Sequence, residues 1–207
     1  MFGNLRNEDA LLFEQLGRIT RDLEGTARLL ERLLAEPTSA AAGIALEARE
    51  LAAKVALHHD HVNVRAFTGF AMRLDATEYR ELAIALDAAA EAVHEALAHV
   101  KSLDGSDAPQ GLQALAHTLS AAAAALGRAV PFAGQANDEA LRGGSDVQRL
   151  ADVGETLYFD GVTALFAGVP DVMHLLRWKG IYEKVWHSLD SCARGAAVLD
   201  QLARANA

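Results

Sequence analysis

The side chains best suited to chemistry are a run of histidines, one cysteine and a set of carboxylates at helical spacing. His58-His59-Asp60-His61 has the composition of a metal cluster. On a helix, however, consecutive residues point about 100° apart. His58 then falls on the apolar stripe with Val55 and Val62, and Asp60 points the opposite way. His58 and His61 could share a metal, yet no His-Glu-x-x-His signature is present. The reading adopted is satisfied or surface histidines. Glu91-Ala92-Val93-His94 has the Glu-x-x-His spacing of di-iron bundles. Those sites need the motif on two helices plus two further inward glutamates, whereas here it occurs once and Glu91 lies opposite the apolar stripe. Cys192 is the sole cysteine, so there is no disulfide framework and no cysteine-based zinc site. It lies on an apolar seam and reads as core. With no Gly-x-Ser-x-Gly and no Gly-rich loop after a strand, no catalytic residues are assigned and no enzyme active site is expected.

The carboxylates are more informative. On the helical wheel Asp87 and Glu91 point roughly 140–180° from the Leu82–Leu86–Val93 seam. Asp152 and Glu155 stand outward in the same way, as do Glu183 and Asp190 relative to Val185 and Leu189. A solvated face is the default in a chain of net charge −9. The functional alternative is a surface carboxylate site for a divalent metal or iron, drawn from Asp87, Glu91, Glu155, Glu183 and Asp190. No other cofactor is expected.

The elements that must position these residues are helical throughout. The chain has 207 residues, 51% of them hydrophobic but only 6% aromatic. Its apolar residues are largely Ala and Leu, which lose little side-chain entropy in a helix. The four prolines, 37, 109, 131 and 170, fall where the apolar period lapses. A first helix is expected from Glu8 to Ala35, capped by Asn7, and a second from Ser39 to Ala71. Asp75 and Glu78 form a capping box for a third, closed by Asp104-Gly105, with Leu74 stapling to Tyr79. A fourth covers Pro109 to Val130. After a loop with a helical turn near Asp138, Ser145-Asp146-Val147-Gln148 opens a fifth helix that runs to Ala167. Pro170-Asp171 starts a sixth, with the seam Leu175, Trp178, Tyr182, Val185, Leu189, Cys192, Ala196 and Leu199. The expected fold is all-α, an elongated up-and-down bundle of six helices in one domain. Helices two and three read loosely onto five and six at an offset of roughly 96 to 99 residues.

With 28 acids against 19 lysines and arginines, the charge argues against nucleic acid and against an anionic membrane surface. The opening residues lack a secretory h-region and no window approaches a membrane span, so a soluble, cytoplasmic protein without direct membrane insertion is expected.

Trp178-Lys179-Gly180-Ile181-Tyr182-Glu183-Lys184-Val185, followed by Asp190 and Cys192, resembles the C-terminal helix of the PhoU-like family of phosphate-transport regulators. The similarity is to the branch accompanying Pit-type inorganic phosphate permeases. It extends to Glu155-Thr156-Leu157-Tyr158 leading to Leu165-Phe166, to Asp75 through Asp87, and to Met1-Phe2-Gly3. The resemblance implies two related three-helix units, about 1–105 and 106–207, and no enzymatic activity. It also implies a cytoplasmic regulator, peripheral to the inner membrane through a Pit-type permease, and family analogy allows a homodimer. Family members bind metal through Glu/Asp-x-x-x-Asp motifs. Asp87-x-x-x-Glu91 matches one such motif with Glu for the second Asp. In Trp186-x-x-x-Asp190 a tryptophan replaces an acid, and Arg194 stands where a further acid is common. The fifth-helix version keeps Glu155, and the helix-two acids are not recognisable at 52–56. The aromatics Phe159 and Trp186 both fall on outward faces, which reads as a partner or dimer contact. A metal-binding helical protein and a helical adaptor unrelated to phosphate are the alternatives.

Overall fold

Apolar residues recurring at steps of three and four build five helices in the computed structural model, which describes residues 2–35, 76–101, 103, 108–133, 138–168 and 171–205. They are α1 (Phe2–Ala35), α2 (Ala76–Lys101), α3 (Gln110–Ala129), α4 (Asp138–Gly168) and α5 (Val172–Ala205), with a 3-10 turn over Val130–Phe132. Among the described residues there is no strand, and every regular element is helical, as expected. The expected second helix, with His58 to His61 and residues 52–56, lies outside the described residues, as do Leu74 and Asp75. No described helix is long and apolar enough to cross a membrane.

Among the described residues, Pro109 and Pro131 stand where the sequence predicts breaks, at the two ends of α3. Pro109 stands at the N-cap of α3, and its carbonyl accepts from Leu112 N–H at 2.9 Å. Asp171 caps α5, its Oδ1 accepting from Met173 N–H at 2.9 Å. Two expected starts move. Helix α1 begins at Phe2, so Asn7 lies inside it; nothing in residues 2–7 blocks propagation, and each added residue needs one further bond. Helix α4 begins at Asp138, seven residues before Ser145, with Asp138 and Glu139 at the positive end of its dipole. Gly143-Gly144 is a packing device and not a break. A Cβ on Gly143 would lie 2.6 Å from the Ala129 Cβ of α3.

Close contacts fix the directions of the helices. Along α1 and α3, Glu24 meets Gly127, Glu31 meets His117 at 2.7 Å, and Leu34 O accepts from Gln113 Nε2 at 3.0 Å. That register is antiparallel. So are α3 and α4, where Gly111 faces Gly161 and Ala129 faces Gly143. Helices α4 and α5 form an antiparallel hairpin, with Gly161 on Tyr182, Gly154 on Leu189 and Gln148 bonded to Ala193 O at 2.7 Å. Helix α5 is antiparallel to α2, since Gly195 faces Leu82 and Ala85 while buried Ser188 donates to Ala89 O at 2.7 Å. It follows that α1 and α2 run parallel, and so do α3 and α5.

One continuous core joins all five helices. Its largest members are Trp178 and Tyr182, fully enclosed with leucines of α1, α2 and α3. The glycines of α4 make room for them. A Cβ on Gly161 would sit 2.5 Å from Tyr182, and one on Gly154 would collide with the Leu189 methyl. Burying the bulk of Leu189 and Tyr182 against bare backbone brings α4 and α5 together.

Candidate functional site

The candidate residues occupy two separate surfaces. The side of α2 that meets α5 carries Leu82, Ala85, Ala89 and Ala92. Asp87 and Glu91 lie well round the helix from that side, Asp87 half-buried and Glu91 exposed. Nearby His94 turns inward to α1. Its Nδ1–H donates to Ala90 O at 2.7 Å and its Nε2 lies 3.5 Å from the Thr26 hydroxyl, so the Glu91-x-x-His94 pair does not converge.

The other five lie on the α4–α5 hairpin: Glu155, Phe159, Glu183 and Asp190 on its outward face, and Trp186 half-buried against the core. The inward sides of these helices are fixed by Gly154, Gly161, Tyr182 and Leu189. Asp152, Glu155, Phe159 and Phe166 follow one another on the outer side of α4 at steps of three, four and seven. Val172, Leu176, Glu183 and Asp190 do the same on α5. The antiparallel register sets Asp152 and Glu155 level with Asp190, Phe159 level with Trp186, and Phe166 level with Leu176.

Glu183 is bonded to Lys179 one turn earlier, and Asp190 lies 3.4 Å from Arg194 one turn later. The Glu183 carboxylate holds the Lys179 ammonium above its ordinary range. Each acid is thus matched by a base on its own helix. Among the described residues no three His, Cys, Asp or Glu side chains come together as a group able to hold a metal. Asp152 and Glu155 stand exposed and form no ion pair with the described residues.

The aromatics divide. Phe159 points outward, 58% exposed. Trp186 is half-buried and packs against the core, its indole stacked on Tyr158 with centroids 5.2 Å apart. The outward position expected for Trp186 is therefore corrected: α5 is flanked by α2, α3 and α4, which widens its buried arc. Phe159 meets Tyr158 edge-on, also at 5.2 Å. Tyr158, to which the sequence assigned no contact role, touches both of the other rings.

Sequence reasoning also missed the far end of the face. Phe166, Val172, Met173 and Leu176 are 52–66% exposed and gather where α4 gives way to α5. The available signal was their position off the Leu175–Trp178–Tyr182 seam. The expected core residues hold. Cys192 is fully buried, and burial pushes its thiol up to about 12. Burial likewise lifts the Tyr182 phenol to about 12, against the opposing contact of the Leu112 backbone. Neither group is poised as a nucleophile. In a shallow groove beside Gly144, Ser145, Ala196 and Ala197, Gln148 is committed to Ala193 O and Asp200 to Arg204.

No protein-family model matches the chain, and no curated protein matches it. The α4–α5 face stands on its own geometry.

Proposed function

We propose that the chain is a non-enzymatic accessory protein of inorganic phosphate transport, acting by contact with a Pit-type permease through the outer face of α4 and α5. The phosphate element rests on the resemblance of residues 178–192 to PhoU-like regulators. The contact element rests on one observation: Phe159, Phe166, Val172 and Leu176 form an exposed apolar strip on a hairpin whose inner face is fully packed. Apolar area left at a packed surface marks a contact for another macromolecule.

Two relationships support the six-helix, two-unit arrangement. Buried Leu16, Ile19, Leu23, Ala27, Leu30 and Leu34 of α1 are followed 96 residues later (16 to 112) by buried Leu112, Leu115, Leu119, Ala123 and Leu126 of α3 and Val130 of the 3-10 turn after it. The same offset carries Leu82, Leu86, Ala89, Val93, Ala96 and Val100 of α2 onto Trp178, Tyr182, Val185, Leu189, Cys192 and Ala196 of α5, again all buried. One offset for both pairs fits duplication of a helical unit. In addition, α1 and α2 run parallel, and an up-and-down chain needs an antiparallel helix between two parallel ones. The segment between them, where the sequence leads one to expect a helix over 39–71, lies outside the described residues.

The test is phosphate uptake in cells that depend on one Pit-type permease, with and without this chain, together with copurification of the two. Uptake that changes with the chain, and a complex weakened by Phe159→Ala, are expected. Unchanged uptake and no complex would rule the reading out.

A further inference from the structure

We propose that the α4–α5 face receives an amphipathic helical segment with lysines or arginines at one end and apolar residues at the other. This inference rests on the contact reading above and adds the chemistry of the partner.

The face is polar at one end and apolar at the other. Asp152 and Glu155 lie at the first end, exposed and unpaired among the described residues. Beside them Asp190 is matched by Arg194, and in the middle Glu183 is matched by Lys179. The unbalanced charge of this end therefore lies at Asp152 and Glu155, and exposed Asp160, next to Phe159, adds a further acid without a partner among the described residues. From there the stripe passes Phe159 over Tyr158 and Trp186, then reaches Phe166, Val172 and Leu176. Asp152 to Phe166 spans about 21 Å of helix. A partner helix of about four turns covers that length. Exposed Arg177, next to Leu176, stands at the other end of the face from Asp152 and Glu155. It lies seven residues before Lys184, on the side of α5 from which Lys184 reaches Glu95 of α2.

This polarity disfavours the other occupants. In a two-fold dimer with the α4 helices antiparallel, the acids of one copy would face Phe166 and Leu176 of the other. With them parallel, acid would face acid. An anionic lipid surface would be repelled at Asp152 and Glu155. A segment with basic residues at one end satisfies both halves at once. Cytoplasmic segments of membrane proteins are enriched in Lys and Arg, which fits a permease as its source.

The probe is a synthetic amphipathic helix with lysines in its first turns and leucines in its last, titrated into the full chain and followed by fluorescence anisotropy. Its glutamate counterpart is the control. Saturable one-to-one binding is expected, weakening with salt. Asp152→Asn with Glu155→Gln should lower affinity by about threefold to tenfold, and Phe159→Ser with Phe166→Ser by about tenfold or more. These residues are exposed, and circular dichroism should show both variants folded. Binding that survives the phenylalanine changes would be generic charge attraction and would overturn the proposal. Equal binding of the glutamate peptide would overturn it too, as would a dimer abolished by the same substitutions. Phosphate uptake measured on these variants separates the two readings. Peptide binding as expected with an indifferent permease would sink only the phosphate assignment. A responsive permease with no peptide binding would sink only this inference.

Discussion

The indole of Trp186 lies on the ring of Tyr158, 24° from parallel, so that α5 and α4 are joined by an aromatic stack whose Tyr158 also meets exposed Phe159 edge-on. These three rings thus divide their work. Two hold the hairpin together, and the third faces outward.

This division separates the two aromatic truncations. Trp186→Ala removes a half-buried ring and its stacking partner, and should cost about 2–3 kcal/mol in urea unfolding. Phe159→Ala removes a mostly exposed ring and should stay within about 0.5 kcal/mol. Equal losses would mean that the two rings are equally part of the core.

The glycines of α4 offer a sharper test of the packing. Gly161→Ala places a methyl against Tyr182, and Gly154→Ala places one against Leu189. Helix propensity alone favours alanine by about 1 kcal/mol. Overpacking opposes it by about 1–3 kcal/mol. Net destabilisation is expected at both sites, and Leu189→Ala should offset part of the loss at Gly154. A stabilised Gly154→Ala protein would show that α4 and α5 lie further apart than described here.

Buried acids give the fold an alkaline limit. The Cys192 thiol is raised from near 9 to about 12 and the Tyr182 phenol from near 10 to about 12. In the intervening range the unfolded chain releases protons that the folded one keeps. Stability is therefore complete below about pH 9 and falls as pH rises toward 12, by at most about 1.4 kcal/mol per pH unit for each group. Cys192→Ala should remove the earlier part of this slope and Tyr182→Phe the later part, measured as urea midpoints across that range. An unchanged slope in both variants would exclude these residues as its source.

Much of the fold was legible because core positions repeat with the helix. Leu82, Leu86 and Val93, and likewise Trp178, Tyr182 and Val185, are buried where the period places them. Helix α3 was bounded to within a residue by Pro109 and Pro131. The start of α4 was not legible, because Gly143-Gly144 has the composition of a break and only the neighbouring Ala129 shows why two glycines belong inside a helix. The site was legible in its residue types but not in its grouping. Spacing alone could not tell that Glu155, Glu183 and Asp190 share a face while Asp87 and Glu91 occupy another. Nor could it show that Lys179 and Arg194 turn back upon Glu183 and Asp190.

The antiparallel pairing of α2 with α5 sets the order in which this protein can be made. The buried seam of α2 around Ala89 closes against Ser188 and its neighbours, about a hundred residues further along the chain. A ribosome must therefore deliver most of the polypeptide before that seam is covered. Until residues 178–199 emerge, Leu82, Leu86 and Val93 lack their α5 partners and remain available to chaperones or to another nascent chain. For a protein made of helices, whose contacts are ordinarily local, that delay slows the final step of assembly.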